Sequence, residues 1–444
     1  SPSRAGLSIA LAVLGSSVAV AADAPPAAPL AQAAAPDIDT GMPAAERITF
    51  EEAIKRALAR NPTIAVALTE IARADALVQQ AHAGWYPTLL GNGSYTRLDH
   101  ARPRTGNPVD DANEWYGNVT LTVPLVAAEG WTATSQAKDA RRVAELGAVD
   151  TRRLIAQATG NAFLAVIAQR LQIRSNDTAI ANARDHATYA HTRLVGGIGR
   201  SIDDVRAQQD LATVLVQRQT VLTGLARAKE ALGVLVGGAE PVDAVETLDL
   251  GAMPSLGAAL DDAASRRSDL ASQRAQVTAA ENARRNLWAY YAPYLSAVGQ
   301  PFVQAGQELL PKFPTLGWQA ELLLTLPLYD GGARGGLREQ RDADLAEART
   351  NLDATFRQTR SEVRVAFESM LRADQALASA RDAASLAKRA YELAVVAYKA
   401  GATTNIEVLD AARQARDADS AAAASSDVAR RARLDLLVSS GRFP

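Results

Sequence analysis

The sequence is written twice. Five landmarks recur in the same order at an offset of roughly 200 residues, much longer than a solenoid unit. Arg60-Asn61-Pro62 answers Arg267-Ser268-Asp269, and Trp85-Tyr86-Pro87 answers Tyr291-Ala292-Pro293. Leu121-Thr122-Val123-Pro124-Leu125 answers Leu324-Thr325-Leu326-Pro327-Leu328. Gly197 with Ile202 and Asp203 answers Gly401 with Ile406 and Glu407, and Leu232–Val236 answers Leu434–Val438. One match would mean little; five in order mean duplication. The chain divides into a first repeat over 48–240, a linker over 241–254, a second repeat over 255–440 and a tail at 441–444.

Each repeat reads as helix, strand, loop, strand, very long helix, turn, helix. The helices expected are Thr49–Ala83, Trp131–Leu194 and Ile202–Val236 in the first copy, and Leu256–Trp288, Leu337–Tyr398 and Ile406–Val438 in the second. Thr49 followed by Glu51 and Glu52 sets acidic side chains where a helix N-terminus favours them. In the second long helix the small or apolar positions run Leu345, Ala348, Leu352, Phe356, then Val363, Phe367, Met370, Ala373, Leu377 and on to Tyr391, Ala394 and Tyr398. The steps are threes and fours, with one interval of seven, as in a coiled-coil stripe. Abundant alanine lets partner helices approach closely, and Arg, Asp and Glu between the stripes suit wet faces.

Four short segments have the other period. From Trp115 the alternate residues are Gly117, Val119, Leu121 and Val123, against Tyr116, Asn118, Thr120 and Thr122. From Trp318 they are Ala320, Leu322, Leu324 and Leu326, with Gln319, Glu321 and Thr325 between. Such alternation fits membrane-barrel strands with one face to lipid and one to a wet lumen, each with an interfacial Trp at one end. Thr88–Arg97 and Tyr294–Val303 are placed as their partners by the repeat, joined through polar loops at Leu98–Glu114 and Gln304–Leu316 that would face the cell exterior. Four strands cannot close a barrel, and an open edge is not tolerated in hydrocarbon. Other copies of the chain must complete it. Three would give about twelve strands, but two or four satisfy the same constraint.

Arg4, the apolar Gly6–Val20 and the small Val20-Ala21-Ala22 form a signal-peptide pattern over 1–22, too short to span a bilayer. Residues 23–47 are Ala/Pro-rich and expected to be flexible. With no cysteine there are no disulfides, thiolate sites or lipidated Cys. A net charge of −2 carries no basic surplus for nucleic acid. His82, His100, His186 and His191 are scattered, read as surface residues, and offer no metal site. Gly196-Gly197-Ile198-Gly199 and Gly331-Gly332-Ala333-Arg334-Gly335-Gly336 fail the dinucleotide and phosphate-loop patterns and read as turns. No nucleophile with a neighbouring base stands out, so neither an enzyme nor a cofactor is expected.

The repeat, the strand-to-helix junctions and the helical hairpins together resemble the outer-membrane efflux protein family, of the TolC type, over Ile48–Ser440. The sharpest match is Leu326-Pro327-Leu328-Tyr329-Asp330-Gly331-Gly332. Here Pro327 closes a strand, Asp330 caps the coming helix, and Gly331 and Gly332 allow the change of direction. Pro124-Leu125-Val126-Ala127-Ala128-Glu129-Gly130 in the first copy lacks the Asp-Gly-Gly. The resemblance implies an α+β membrane protein: a homotrimer whose 12-stranded β-barrel, four strands per protomer, sits in outer-membrane lipid and continues into a long α-helical coiled-coil tunnel across the periplasm of a Gram-negative bacterium. It implies a passive duct for drugs, metals or secreted protein, docked to a periplasmic adaptor (membrane fusion) protein and an inner-membrane pump of the RND or ABC type. The two interhelical turns, around Gly197 and Gly401, would meet the adaptor.

The resemblance also implies gate residues near those turns. Glu407 and Asp410 match acidic positions that ring the narrowest point, and Tyr398 and Asp203 match positions in interhelix links that hold it shut. Where the typical member has a basic residue, this chain has Thr403; Lys399 or Arg200 could substitute. A simpler reading stands beside this one. Ser201-Ile202-Asp203-Asp204 and Thr404-Asn405-Ile406-Glu407 fit capping boxes, which would account for Asp204 and Glu407 but not for Asp410. A soluble periplasmic coiled-coil adaptor or scaffold is the alternative for the whole chain; it has no need of lipid-facing Leu322, Leu324 and Leu326.

Overall fold

The structure, a computed structural model, describes residues 45–99, 102–103, 109–110, 113–248, 250–306 and 315–443. The expected signal peptide and the Ala/Pro-rich stretch through residue 44 lie outside the described residues, as do parts of the two polar loops. The first repeat runs β1 (Glu46–Ile48), α1 (Phe50–Arg60), α2 (Pro62–His82), β2 (Thr88–Arg97), β3 (Arg102–Pro103), β4 (Val109–Asp110), β5 (Asn113–Val126), α3 (Ala128–Val195) and α4 (Ser201–Val236). The strand β6 (Val242–Ala244) leads to the second repeat: α5 (Leu256–Arg266), α6 (Ser268–Arg285), a 3-10 turn (Asn286–Tyr291), β7 (Tyr294–Gly306), β8 (Thr315–Thr325), α7 (Ala333–Lys399) and α8 (Asn405–Ser439). At 1.5 Å per residue, α3 and α7 are each about 100 Å long.

The first helix of each repeat is broken where the sequence suggests a continuous one. The break falls at Asn61 (φ −66°, ψ 128°) and at Arg267 (φ −68°, ψ 127°). Pro62 forces the first, because it forbids α geometry in the residue before it. The repeat equivalence therefore pairs Arg60-Asn61-Pro62 with Arg266-Arg267-Ser268, one residue earlier than the sequence landmarks suggest. Both break residues tie to the end of their own return helix. Asn61 Nδ2 donates to the Leu235 carbonyl (3.0 Å), and Arg267 Nη1 to that of Ser439 (3.4 Å). Arg267 also donates to Asp269 Oδ1 (3.0 Å) and Glu362 Oε2 (2.7 Å) from a nearly solvent-free position.

One expectation needs correction near the start of the first repeat. The flexible segment ends before Glu46, because Glu46–Ile48 pairs in parallel with Val242–Ala244 in the linker. Buried Asp243 holds this small sheet, accepting hydrogen bonds from Arg170 and lying 3.0 Å from Lys229 Nζ. The first-repeat core gathers Phe163, Val166, Ile167, Leu232 and Val236 against these strands. The second gathers Val363, Ala366, Met370, Ala429 and Leu436. Leu164, Leu434 and Val438 join the two, with Phe50 and Phe443 against them. The apolar stripe of α7 faces inward as its period requires, and Thr359, buried, fills the seven-residue gap between Phe356 and Val363.

β2, β5, β7 and β8 form one antiparallel sheet in that order. The register puts Leu89 opposite Leu121, Leu121 opposite Gly299, Val123 opposite Ala297, Ala297 opposite Leu322, and Leu295 opposite Leu324. Tyr95, Trp115, Val119, Val303, Leu316 and Trp318 share that face, which is apolar across all four strands. The opposite face carries Asn92, Tyr116, Asn118, Gln300, Gln319 and Glu321, with hydrogen bonds from Asn92 to Asn118 (3.0 Å) and Asn118 to Tyr116 (3.3 Å). Within the chain the outer edges of β2 and β8 have no strand partner among the described residues. The helices adjoining these strands pack in the matching order, α2 on α3, α3 on α6, α6 on α7.

The Arg267 node supports a stability prediction. Arg267→Met strands Asp269 and Glu362 and should cost about 3 kcal/mol, the low end for a broken buried pair because both carboxylates keep some water. Removing the exposed Arg357–Asp353 pair should change stability by less than about 0.5 kcal/mol. Urea titrations followed by circular dichroism would compare them.

Candidate functional site

The turn between α3 and α4 places Gly197 at φ 73°, and that between α7 and α8 places Gly401 at φ 77°. Both need the left-handed region that glycine enters without a Cβ penalty. Amides fold back onto the helix ends: Gly199 N donates to the Arg193 carbonyl (2.9 Å) and Ala402 N to that of Ala397 (2.8 Å).

Behind the turns the two hairpins are tied by a buried polar cluster. Asn405 is almost fully enclosed. Its Nδ2 donates to the Asp203 carbonyl (3.2 Å), and its Oδ1 lies 2.7 Å from His186 Nε2. Tyr398 is buried beside His186 and Tyr189, with ring centroids 5.7 and 5.8 Å away. The Arg193 guanidinium sits over its ring at 5.1 Å. Arg200 Nε donates to Asp203 Oδ2 (3.1 Å), while Asp203 Oδ1 is buried without a partner. Further along, Arg416 of α8 grips Asp210 of α4 through two hydrogen bonds (2.8 and 3.0 Å). Burial pushes the Tyr398 phenol up. Burial pushes the His186 imidazole down, against the Asn405 hydrogen bond and the charges of Asp210 and Asp203.

The structure thus brings Asp203 and Tyr398 into one cluster and leaves Glu407 and Asp410 out of it. The latter two lie one turn apart on the exposed side of α8. Glu407 accepts from Thr403 Oγ1, and Asp410 from Arg413 Nη2 (2.9 Å). Arg200 pairs with Asp203, whereas Lys399 lies over the Tyr189 ring (5.7 Å). The capping-box reading is corrected. Arg200, not Ser201, is the N-cap of α4, and Thr404, though at the N-cap of α8, makes no side-chain cap. Asp204 instead accepts from Gln208 (3.0 Å) and faces His191 (3.5 Å). The reading of His186 as a surface residue is also corrected. It extends the buried line of Ala179, Ala183 and Ala190 at helical spacing, the sequence signal that would have revealed it.

At the strand-to-helix junction Asp330 Oδ1 accepts from Gly332 N (3.1 Å) and Oδ2 from Arg334 N (2.9 Å) and Nε (2.7 Å). Those donors, the Arg334 amide foremost, hold its carboxyl below the usual range. Gly331 (φ 67°) and Gly332 (φ 95°) make the bend. Arg334 Nη1 donates to the Pro327 carbonyl (3.0 Å). Among the described residues there is no cluster of three or more potential metal ligands, and no helix is long and apolar enough to cross a membrane.

Residues 53–238 and 259–442, one stretch in each repeat, match the family described as outer membrane efflux protein. The chain belongs to the outer membrane efflux protein family. It is 24% identical over 395 residues to the pyoverdine export outer membrane protein OpmQ of Pseudomonas aeruginosa, spanning 84% of this chain and 81% of that protein. Its fold superposes on the CmeC outer membrane channel of Campylobacter jejuni with a TM-score of 0.75 at 17% identity, covering 88% of this chain and 85% of that one. The outer membrane protein VceC of Vibrio cholerae gives 0.74 at 19% identity, covering 88% and 96%. The protein is thus an outer membrane efflux protein, of a family concerned with transport.

The buried His186 imidazole predicts a pH response. A folded pKa below the unfolded value of 6.5 means the unfolded chain binds the extra proton first. Stability of the α3–α8 contact should therefore fall as pH drops below about 6.5 and be retained above it. Amide exchange at the turns between pH 7.5 and 5 should show this loss of protection, and His186→Gln should flatten it.

Proposed function

We propose that three copies of this chain form the passive exit duct of a tripartite efflux or type I secretion system. The observation that carries the reading is the four-stranded sheet. One face is apolar across every strand, the other carries the hydrogen-bonded Asn92, Asn118 and Tyr116 with Gln300, Gln319 and Glu321 among its residues, and both edges lack a strand partner among the described residues. Aromatic residues bracket it: Tyr95, Trp115 and Trp318 towards the loops, Trp288, Tyr291 and Tyr329 towards the helices. Such a sheet is a sector of a barrel, with the apolar face to lipid and aromatic girdles at both interfaces. Edge β8 of one copy meets edge β2 of the next, and α7 meets α2 below, so strands and helices close in the same order.

In this reading the helices lie in the periplasm of a Gram-negative bacterium, after export by a signal peptide. The turns at Gly197 and Gly401 meet a periplasmic adaptor, which couples the duct to an inner-membrane pump of the RND or ABC type. The duct performs no catalysis and uses no cofactor. The Asn405, His186, Tyr398 and Asp203 cluster, with the Arg416–Asp210 pair, clasps α7–α8 to α3–α4 and keeps the tip narrow. Glu407 and Asp410, free of that clasp, are available to line the narrow point. A ring of carboxylates there favours cations and excludes anions. OpmQ exports pyoverdine by name; the cargo here is of the same broad kind, a small secreted molecule, or an unfolded protein.

Planar-bilayer recording tests this. The wild type should insert and give small cation-selective steps, and Asp410→Ala should enlarge them or weaken the selectivity. Unchanged steps would discard Asp410 as gate. Folded protein that never inserts would sink the duct itself.

A further inference from the structure

Directly beneath the sheet, the packed helices α6 and α7 leave a groove between them of about 610 Å³. Arg284, Arg285, Arg334, Arg338 and Arg349 line it, against the single carboxylate of Glu281. Three of the arginines are neutralised locally: Arg284 by Asp342, Arg334 by Asp330 and Arg349 by Glu281. Among the described residues Arg338 has no hydrogen-bond or ion-pair partner, and Arg285 donates to the neutral Asn282 alone (2.6 Å). Two guanidinium charges are left over in a concavity of ligand size. Arg334 lies over the Tyr291 ring at 4.6 Å, which fixes one wall.

Duplication supplies the control. At the equivalent point of the first repeat α2 and α3 are in contact. A Cβ added to Gly130 would stand 2.7 Å from the Gly84 carbonyl oxygen, and Trp85 Nε1 donates across to Thr134 Oγ1 (3.2 Å). The residues that meet there are neutral, so nothing in the architecture requires the second junction to be basic. Its place in the chain says what it faces. Tyr291 is three residues before β7, and Arg334 and Arg338 begin the helix that follows Leu324, Leu326, Leu328 and Tyr329. The groove thus adjoins the edge of the apolar band, at the level of lipid phosphates.

The geometry points to a binding site for the phosphodiester headgroup of an anionic lipid in the periplasmic leaflet. Arg285 and Arg338 hold the phosphate oxygens, since guanidinium forks match phosphate and retain charge at any physiological pH. The acyl chains lie along the apolar sheet face. Basic pockets beside membrane-spanning elements select anionic headgroups in this way. This inference rests on the membrane placement proposed above.

The test reconstitutes the full chain into phosphatidylcholine nanodiscs doped with phosphatidylglycerol and counts retained lipids by native mass spectrometry. Bilayer conductance of the same preparations shows separately whether the protein inserts, so failure of the duct reading is distinguished from failure of the lipid site. The wild type should enrich phosphatidylglycerol, and Arg285→Ala/Arg338→Ala should lose about tenfold in preference per guanidinium removed. Arg364→Ala/Arg389→Ala, which removes equal charge from the exposed face of α7, should keep it. Arg338→Gln alone, at a side chain with no partner to strand, serves if the double variant folds poorly. Equal enrichment in all variants, or none in the wild type, overturns the proposal. So does inorganic phosphate that displaces the bound phosphatidylglycerol at millimolar concentration, because the site would then take the free ion.

Discussion

A strand edge placed in hydrocarbon has nowhere to send its N–H and C=O groups except another strand. Among the described residues the sheet ends at β2 on one side and β8 on the other, with neither edge paired. In the duct proposed above, the matching order of the helices below and the requirement for further copies descend from that. So does the alanine-rich character of the helices. Helices that continue the strand order must sit side by side at the spacing the strands impose, and small residues such as Ala179, Ala183, Ala187 and Ala190 allow it.

The duplication, both strand pairs and the long helices were legible because each rests on a periodicity that one face of an element must obey. β2 falls at Thr88–Arg97 as placed by the repeat, although its own alternation is weak. The helix break at Asn61 is signalled by Pro62, whereas the one at Arg267 is not legible. Propensity favours continuity around Arg267, where the break depends on the distant Glu362 and Ser439. The pairing of Glu46–Ile48 with Val242–Ala244 joins segments too short to carry a pattern and a whole repeat apart.

At the turns the sequence showed glycine and acid positions but not what Asn405 does. A lone Asn beside a turn reads as a cap, and only its burial between helices shows it bridging His186 and the Asp203 carbonyl. The Arg416–Asp210 pair was likewise invisible, since nothing local distinguishes it from the many intrahelical pairs on α7. Long-range polar contacts are chosen by tertiary geometry, and single-sequence periodicity carries no record of them.

The cluster of Leu164, Leu434 and Val438 under Phe50 and Phe443 joins nearly the first described helix to nearly the last residue. It also governs the order of assembly. In a chain that folds from its N-terminus, α4 covers Phe163, Val166 and Ile167 of α3 early, but Leu164 stays uncovered until α8 arrives. Contacts of such sequence separation form slowly, and the waiting intermediate is prone to aggregate. The seam between the two repeats is therefore the last part of the protomer's core to close.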